Sequence, residues 1–240
     1  MIALVLAELL KARTTRSALG LALGLLAIVA FFGSVHAATF DESPFDRHPT
    51  SDNLGSIFFT PIFAIFFGIL ASAGEYRHGT ISQTLLVTPV REKLVAAKAV
   101  SAAIVGAALW AAAAALALVV CVIWFAARGI PFDGGDAAST LLPAVAAAAM
   151  WAALGVGLGF ILPSQVGAII SLFAWLFVVE SIVQGLLPRV HHFLPFGLLN
   201  DLLDGDDAHF SRPVAGLLTL AYAIGFAALG AALARRRDVT

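Results

Sequence analysis

Apolar and polar positions fall into long alternating blocks along this chain, and the blocks define its elements before any single residue is weighed. Apolar runs of about twenty residues, the length that carries a helix across a bilayer, are predicted at about 17–35, 54–73, 95–127, 138–162, 166–187 and 213–234. Ahead of them, Met1 to Arg16 sets Ile2, Val5, Leu6, Leu9 and Leu10 near helical spacing and ends in Lys11, Arg13 and Arg16. Such a segment is expected to lie in the membrane interface with its basic end among the headgroups. The third run is roughly 45–50 Å long at ~1.5 Å per residue, more than a ~30 Å hydrocarbon layer, so it must tilt or project. The second run carries Phe58, Phe59, Phe63, Phe66 and Phe67 with Pro61 among them, and proline in a membrane helix requires a kink or a neighbouring donor. A competing reading stays open at the first run, where basic residues, an apolar stretch and Val35-His36-Ala37 before Ala38 resemble a secretory signal peptide.

Composition agrees with the blocks. Hydrophobic residues make up 60% and charged residues 12% of the 240, which excludes an ordinary soluble domain. The expected fold class is an all-α membrane protein, one transmembrane domain over residues 1–240 with six membrane helices. Six spans put both termini on one side, and the basic residues choose which. Lys11, Arg13, Arg16, Arg77, Arg91, Lys93, Lys98, Arg235, Arg236 and Arg237 fall together, against Arg47, Arg128, Arg189 and Arg212 opposite. The positive-inside rule then places both termini and the central polar stretch in the cytoplasm. The lone cysteine, Cys121, lies in an apolar run and reads as a small buried side chain.

That central stretch, Gly74 to Lys98, is the one charged segment between two spans that also reads as folded. Thr80 followed by Gln83 has capping-box spacing, predicting a short helix over about Ile81–Val87. Thr88 before Pro89 predicts the start of a second helix, since proline is tolerated at a first helical position. A basic loop held at the headgroups would also account for the charges. The run Glu75-Tyr76-Arg77-His78-Gly79-Thr80-Ile81, then Leu85-Leu86, Thr88-Pro89, Arg91 and Ala97-Lys98 resembles the cytoplasmic loop of ABC-2 type permeases, the membrane subunits of one class of ATP-binding-cassette exporters.

The resemblance implies a bacterial cell-membrane exporter. Its permeases would pair, with the same chain or a second one, above two separate ATPase subunits that carry ATP and Mg. The short helix would be the coupling helix, with Glu75, Tyr76, Arg77, Gly79, Thr80, Gln83, Leu85, Leu86, Pro89 and Arg91 as its coupling residues. Glu75 is expected to bond Arg77, Arg91 or the amides at Thr80. Phe59, Phe63, Phe66 and Phe67 facing Phe173 and Phe177 would suit a hydrophobic or amphipathic cargo. An aromatic stripe of this kind also serves plain packing or faces lipid.

Chemistry of its own is not expected of this chain. It has no GxxxxGK[ST] phosphate loop, so ATP would be hydrolysed by the partner, and no cofactor, metal or nucleic acid is expected. All six histidines lie in loops, which disfavours an intramembrane hydrolase. Glu180 is the one ionisable residue well inside a run, by default a functional candidate. A proton-coupled carrier would use it, although pairing with Arg128 or Arg189, or a water-filled cavity, would equally explain it. His191, His192, Asp201, Asp204, Asp206, Asp207 and His209 crowd one loop with metal-ligand chemistry but no metal-site spacing, and read as a solvated acidic loop. A non-transporting immunity or sensor component binding through that loop is the further alternative. Pro188, Pro195 and the apolar Phe193, Phe196, Leu198 and Leu199 predict short helices dipping toward the lipid there. Gly155-xxx-Gly159 and Gly20-xxx-Gly24 predict close helix approach, chiefly within the subunit.

Overall fold

In a computed structural model of the protein, residues 1–39, 48–55, 60–203 and 208–236 are described, and no strand occurs among them. Phe59, Asp41, Glu42, Asp46, Asp204, Asp206, Asp207 and Arg237 lie outside the described residues. Helix α1 covers Ile2–Thr14, and α2, Arg16–Thr39, follows after a break at the extended Thr15. The short α3 (Pro49–Gly55) precedes α4 (Ile62–Arg77), α5 (Ile81–Val87) and the 38-residue α6 (Arg91–Arg128). Helix α7 spans Gly134–Ile161. Helix α8 (Gln165–Phe173) runs through a π-helical turn, Ala174–Val179, into α9 (Glu180–Leu186). Two short helices, α10 (Pro188–His191) and α11 (Pro195–Leu203), lead to the terminal α12 (Arg212–Arg236).

Among the described residues, five helical stretches are long and apolar enough to cross a membrane: α2, α6, α7, α8 through α9, and α12. The predicted second span departs from expectation. Its helix does not run unbroken from Leu54, because α3 ends at Gly55, a turn holds Thr60 and Pro61, and the 16-residue α4 starts only at Ile62. Proline has no N–H to offer a preceding turn, so Pro61 serves as a helix start instead of a kink. At its other end α4 runs past the expected Ala73 to Arg77.

Helix α7 is the axis of the bundle, packed on α4, α6 and α12. Its alanines and glycines explain why. A Cβ at Gly155 would stand 2.2 Å from the Ile65 carbonyl oxygen, and one at Gly159 would stand 2.1 Å from Ser72 Oγ, so α4 meets α7 backbone to backbone. Close approach of this kind replaces hydrophobic drive as the cohesive force between membrane helices. The expectation for Gly20 and Gly24 does not hold within this chain, where a Cβ at either would meet nothing within 4 Å. Trp110, Trp151, Phe125 and Phe160 fill the space around the axis. Asp133 caps the start of α7 by accepting from the amides of Gly135 (2.6 Å) and Asp136 (3.3 Å).

Candidate functional site

At the basic end of the bundle the chain turns from α4 into α5 within three residues. Gly79 takes φ +67°, a left-handed conformation that glycine adopts without steric cost. The Thr80 amide then donates 3.0 Å back to the Glu75 carbonyl. The expected capping box is not formed. Thr80 occupies the N-cap position with helical φ and ψ, its hydroxyl reaches the Glu75 carbonyl at 3.5 Å, and its side chain caps no α5 amide. An N-cap hydroxyl needs an extended backbone to face the free amides, and the tight glycine turn denies it one. The next helix likewise starts later than expected, at Arg91 with Val90 as its N-cap, while Thr88 ends α5 and Pro89 lies between.

Helix α5 is two-sided. Ile81 is buried and Leu85 packs against the core, a spacing of four that seats one face. Leu86 and Val87 are 85% and 83% exposed on the other face, and Gln83 is exposed beside them. Arg91 leaves this surface to donate to the Ala234 carbonyl at the end of α12. Glu92 accepts from Arg235 at 2.8 Å, tying the same two helices.

Behind the turn lies an arrangement that sequence reasoning missed. Lys98, its side chain 1% exposed, donates to Glu8 of α1 (2.7 Å), to Glu75 of α4 (2.8 Å) and to the Ala71 carbonyl (3.3 Å). Lys11 donates to the same two carboxylates at 2.7 and 3.0 Å. Two lysines and two glutamates therefore form a neutral cluster joining α1, α4 and α6. Glu75 bonds neither Arg77 nor Arg91, contrary to expectation, because the buried Lys98 is nearer and has no water to turn to. Burial alone would raise the Glu8 carboxyl, but the Lys98 charge and the bonds from Lys11 and Lys98 outweigh it and hold the group below its ordinary range. For Lys11, burial would lower the ammonium, and the bonds to Glu8 and Glu75 more than reverse this. The available signal was Glu8 itself, a charge on the same helical side as Val5 and Ala12.

The remaining expected coupling residues flank this cluster. Tyr76 meets Phe160 of α7 edge-on with ring centres 6.0 Å apart, and Arg77 donates to Gln165 at the start of α8 (3.3 Å). A cavity of about 630 Å³ opens among α1, α4, α5, α6 and the start of α8.

Four of the proposed path phenylalanines form one chain of rings. Phe63 meets Phe66 (5.9 Å), Phe66 meets Phe173 (5.5 Å) and Phe173 stacks on Phe177 (5.6 Å), with Phe177 exposed. Phe67 is not among them, since it is buried and turns toward the cavity at the basic end.

At the opposite end, Glu180 is 1% exposed and pairs with neither Arg128 nor Arg189. It accepts from Trp175 Nε1 (2.8 Å) and from the Phe196 amide at the start of α11 (3.0 Å), with His191 Nε2 at 4.0 Å. Arg128 instead reaches the Ala37 carbonyl at the end of α2 (3.1 Å). Of the loop expected to be solvated and acidic, Asp201 and His191 are buried and His209 is exposed, while Asp204, Asp206 and Asp207 lie outside the described residues. Asp201 is buried and accepts from the amides of His209 (3.0 Å) and Phe210 (3.3 Å), with His192 Nδ1 at 3.3 Å. His192 and His209 stack at 4.4 Å. Burial, then the neighbouring charge of His192, lower the His191 imidazole below its usual value, against the pull of Asp201. Among the described residues no three His, Cys, Asp or Glu side chains are grouped to hold a metal ion.

The family model described as ABC-2 family transporter protein matches residues 37–239. No curated protein matches the chain.

Proposed function

We propose, from the premise that this chain belongs to the ABC-2 family of transporter proteins, that α5 is the contact through which an ATPase partner drives it. The chain is a multi-pass membrane protein and the permease component of an ABC transporter. Its family implies an ABC ATPase partner, which would hold the ATP and Mg. In this reading residues 1–240 form one domain with α4 as the sixth span, and both termini and α5 face the cytoplasm of a bacterial cell. Two ATPase subunits sit beneath a pair of permeases, and the direction is export of a hydrophobic or amphipathic cargo.

The carrying observation is the two-sidedness of α5. A seven-residue helix is too short to hold itself in water and depends on what its sides touch. Ile81 and Leu85 fasten one side to the bundle, while Leu86 and Val87 stand almost fully exposed beyond any span. Exposed aliphatic side chains on a seated helix suit a protein groove. The cluster of Lys98, Glu8 and Glu75 would carry displacement of α5 into α1, α4 and α6 together. Leu86→Asp is the test. The permease should purify folded while its ATPase no longer accompanies it. Undiminished co-purification of the ATPase with Leu86→Asp and with Val87→Asp would count against α5 as the contact.

A further inference from the structure

The cavity at the basic end is divided in a way that specifies a ligand. Phe67, Leu70, Ala71 and Val105 give it an apolar wall, and Arg77 with Gln83 stands at its polar side. Its volume of about 630 Å³ lies within the about 300–1,000 Å³ of small-molecule sites. Charge decides the rest. Glu8, Glu75 and Lys11 line the wall and the buried Lys98 backs them, the two lysines and two carboxylates pairing at 2.7–3.0 Å so that their charges cancel. Arg77 is different: it is exposed, and its hydrogen-bond partner among the described residues is the neutral Gln165 amide at 3.3 Å. His78, also exposed, lines the same side. A cation without a counter-charge, set over an apolar wall, complements a molecule with an anionic head and a hydrocarbon tail.

We propose that this cavity binds an anionic amphiphile, its phosphate or carboxylate head held by Arg77 and its chain lying along Phe67, Leu70 and Val105. The proposal rests on the permease reading and narrows the amphipathic cargo to one charge class. It also ties occupancy to the stroke. Arg77 belongs to α4 and Gln83 to α5, so a head bridging them is gripped or released as α5 moves. The chemistry is shared by a phospholipid of the adjoining leaflet and by a free amphiphile from solution.

The test uses the full-length permease purified in dodecyl maltoside and titrated with dodecyl phosphate, read by the midpoint of thermal unfolding. A saturable rise is expected with dodecyl phosphate, and none with inorganic phosphate or dodecyltrimethylammonium. Arg77→Gln should raise the half-saturating concentration about tenfold or more, the loss of a charge-assisted contact. Leu70→Trp should do the same by filling the chain's place, and Arg189→Gln should titrate like the wild type. Arg77→Gln is an exposed change and decides the matter even where Leu70→Trp does not fold. A response to inorganic phosphate equal to that of dodecyl phosphate, or an unaltered titration in Arg77→Gln, overturns the proposal. Nanodiscs of mixed phosphatidylglycerol and phosphatidylcholine, examined by native mass spectrometry, then separate the sources. Retention of phosphatidylglycerol that is lost in Arg77→Gln identifies the leaflet, and its absence beside dodecyl phosphate binding identifies solution. No ATPase is present, so failure here leaves the Leu86→Asp result standing, and the reverse holds.

Discussion

Lys98 and Glu8, ninety residues apart, meet at 2.7 Å with both side chains buried. A lysine at this depth remains charged only with carboxylates to face it. Helix α6, about 57 Å long at 1.5 Å per residue, overreaches a ~30 Å hydrocarbon layer. At Lys98, near its start, α6 is covered by α1 through this pair. Helix α1 thereby becomes part of the bundle at the place where α4 turns into α5.

Removing one member should cost more than removing a balanced pair. Lys98→Met leaves the Glu8 and Glu75 carboxylates to share Lys11 alone, and breaking a buried pair costs up to about 3–5 kcal/mol. Adding Glu8→Gln leaves Lys11 facing Glu75 alone and restores neutrality. The double variant should therefore unfold at a higher temperature than Lys98→Met in the same detergent. Additive losses across the double-mutant cycle would show that the two side chains do not act as a pair.

Glu75 carries the second expectation. Glu75→Gln retains an acceptor for Lys98 but removes the charge that holds Lys11 and Lys98 to α4. ATPase subunits should still assemble with this variant, because α5 keeps its exposed face, while transport per ATP hydrolysed falls. Reconstituted vesicles in which both rates are followed give the ratio. A ratio equal to that of the wild type would remove Glu75 from the transmission path.

Much of this was legible beforehand, and the misses share a cause. Length and apolarity located five of the six expected spans, and the polar stretch from Gly74 to Lys98 identified both the family and the short helix, because these are local properties. Glu8 meeting Lys98, and Glu180 meeting Phe196, depend on how α1 and α11 fold back, which no local pattern records. Thr80 shows the converse error. Its spacing to Gln83 suits a capping box, yet Gly79 fixes a turn that points the hydroxyl elsewhere. The acidic neighbours of Asp201 in the sequence predict a solvated side chain, whereas the amides of His209 and Phe210 give it a buried structural place.

The crossing of α4 and α7 allows a clean steric comparison. Gly155→Ala places a methyl group 2.2 Å from the Ile65 carbonyl oxygen, and backbone must yield. Overpacking of this kind costs about 1–3 kcal/mol. Gly20→Ala meets nothing within 4 Å in this chain and should leave the monomer's unfolding unchanged. Thermal unfolding of the two variants side by side checks the difference.

Acid should loosen the two ends in a definite order. His191 has a folded value below its unfolded one near 6.5, so the folded state is favoured fully above that pH and loses stability as pH falls below it. The Glu8 carboxyl is also depressed, from an unfolded value near 4.3, so its contribution persists until pH falls below that and through the folded value. Between pH 7 and 5, amide protection, taken relative to the slower intrinsic exchange at lower pH, should therefore fall in α10 and α11 while α1 keeps its protection. Loss of protection in α1 first would contradict the order.

Glu180 decides between a structural latch and a proton site. Both its oxygens are engaged, by the Trp175 indole and by the Phe196 amide, and the π-helical turn before it sets Trp175 close enough to donate. The carboxylate thus ends α11 much as an N-cap does, since the first amides of a helix need an acceptor. Glu180→Gln keeps one acceptor oxygen and should hold α11 nearly as well, whereas Glu180→Ala frees two donors and should expose α11 to amide exchange. Transport should follow the same ranking, mild loss in Gln and larger loss in Ala, and should require ATP in both. A proton-coupled carrier demands the opposite: Glu180→Gln cannot release a proton, so transport would cease in that variant with α11 still protected, and a proton gradient alone would drive the wild type. Measuring exchange and transport on the same preparations separates the two, because only the latch makes the activity follow the order of the helix.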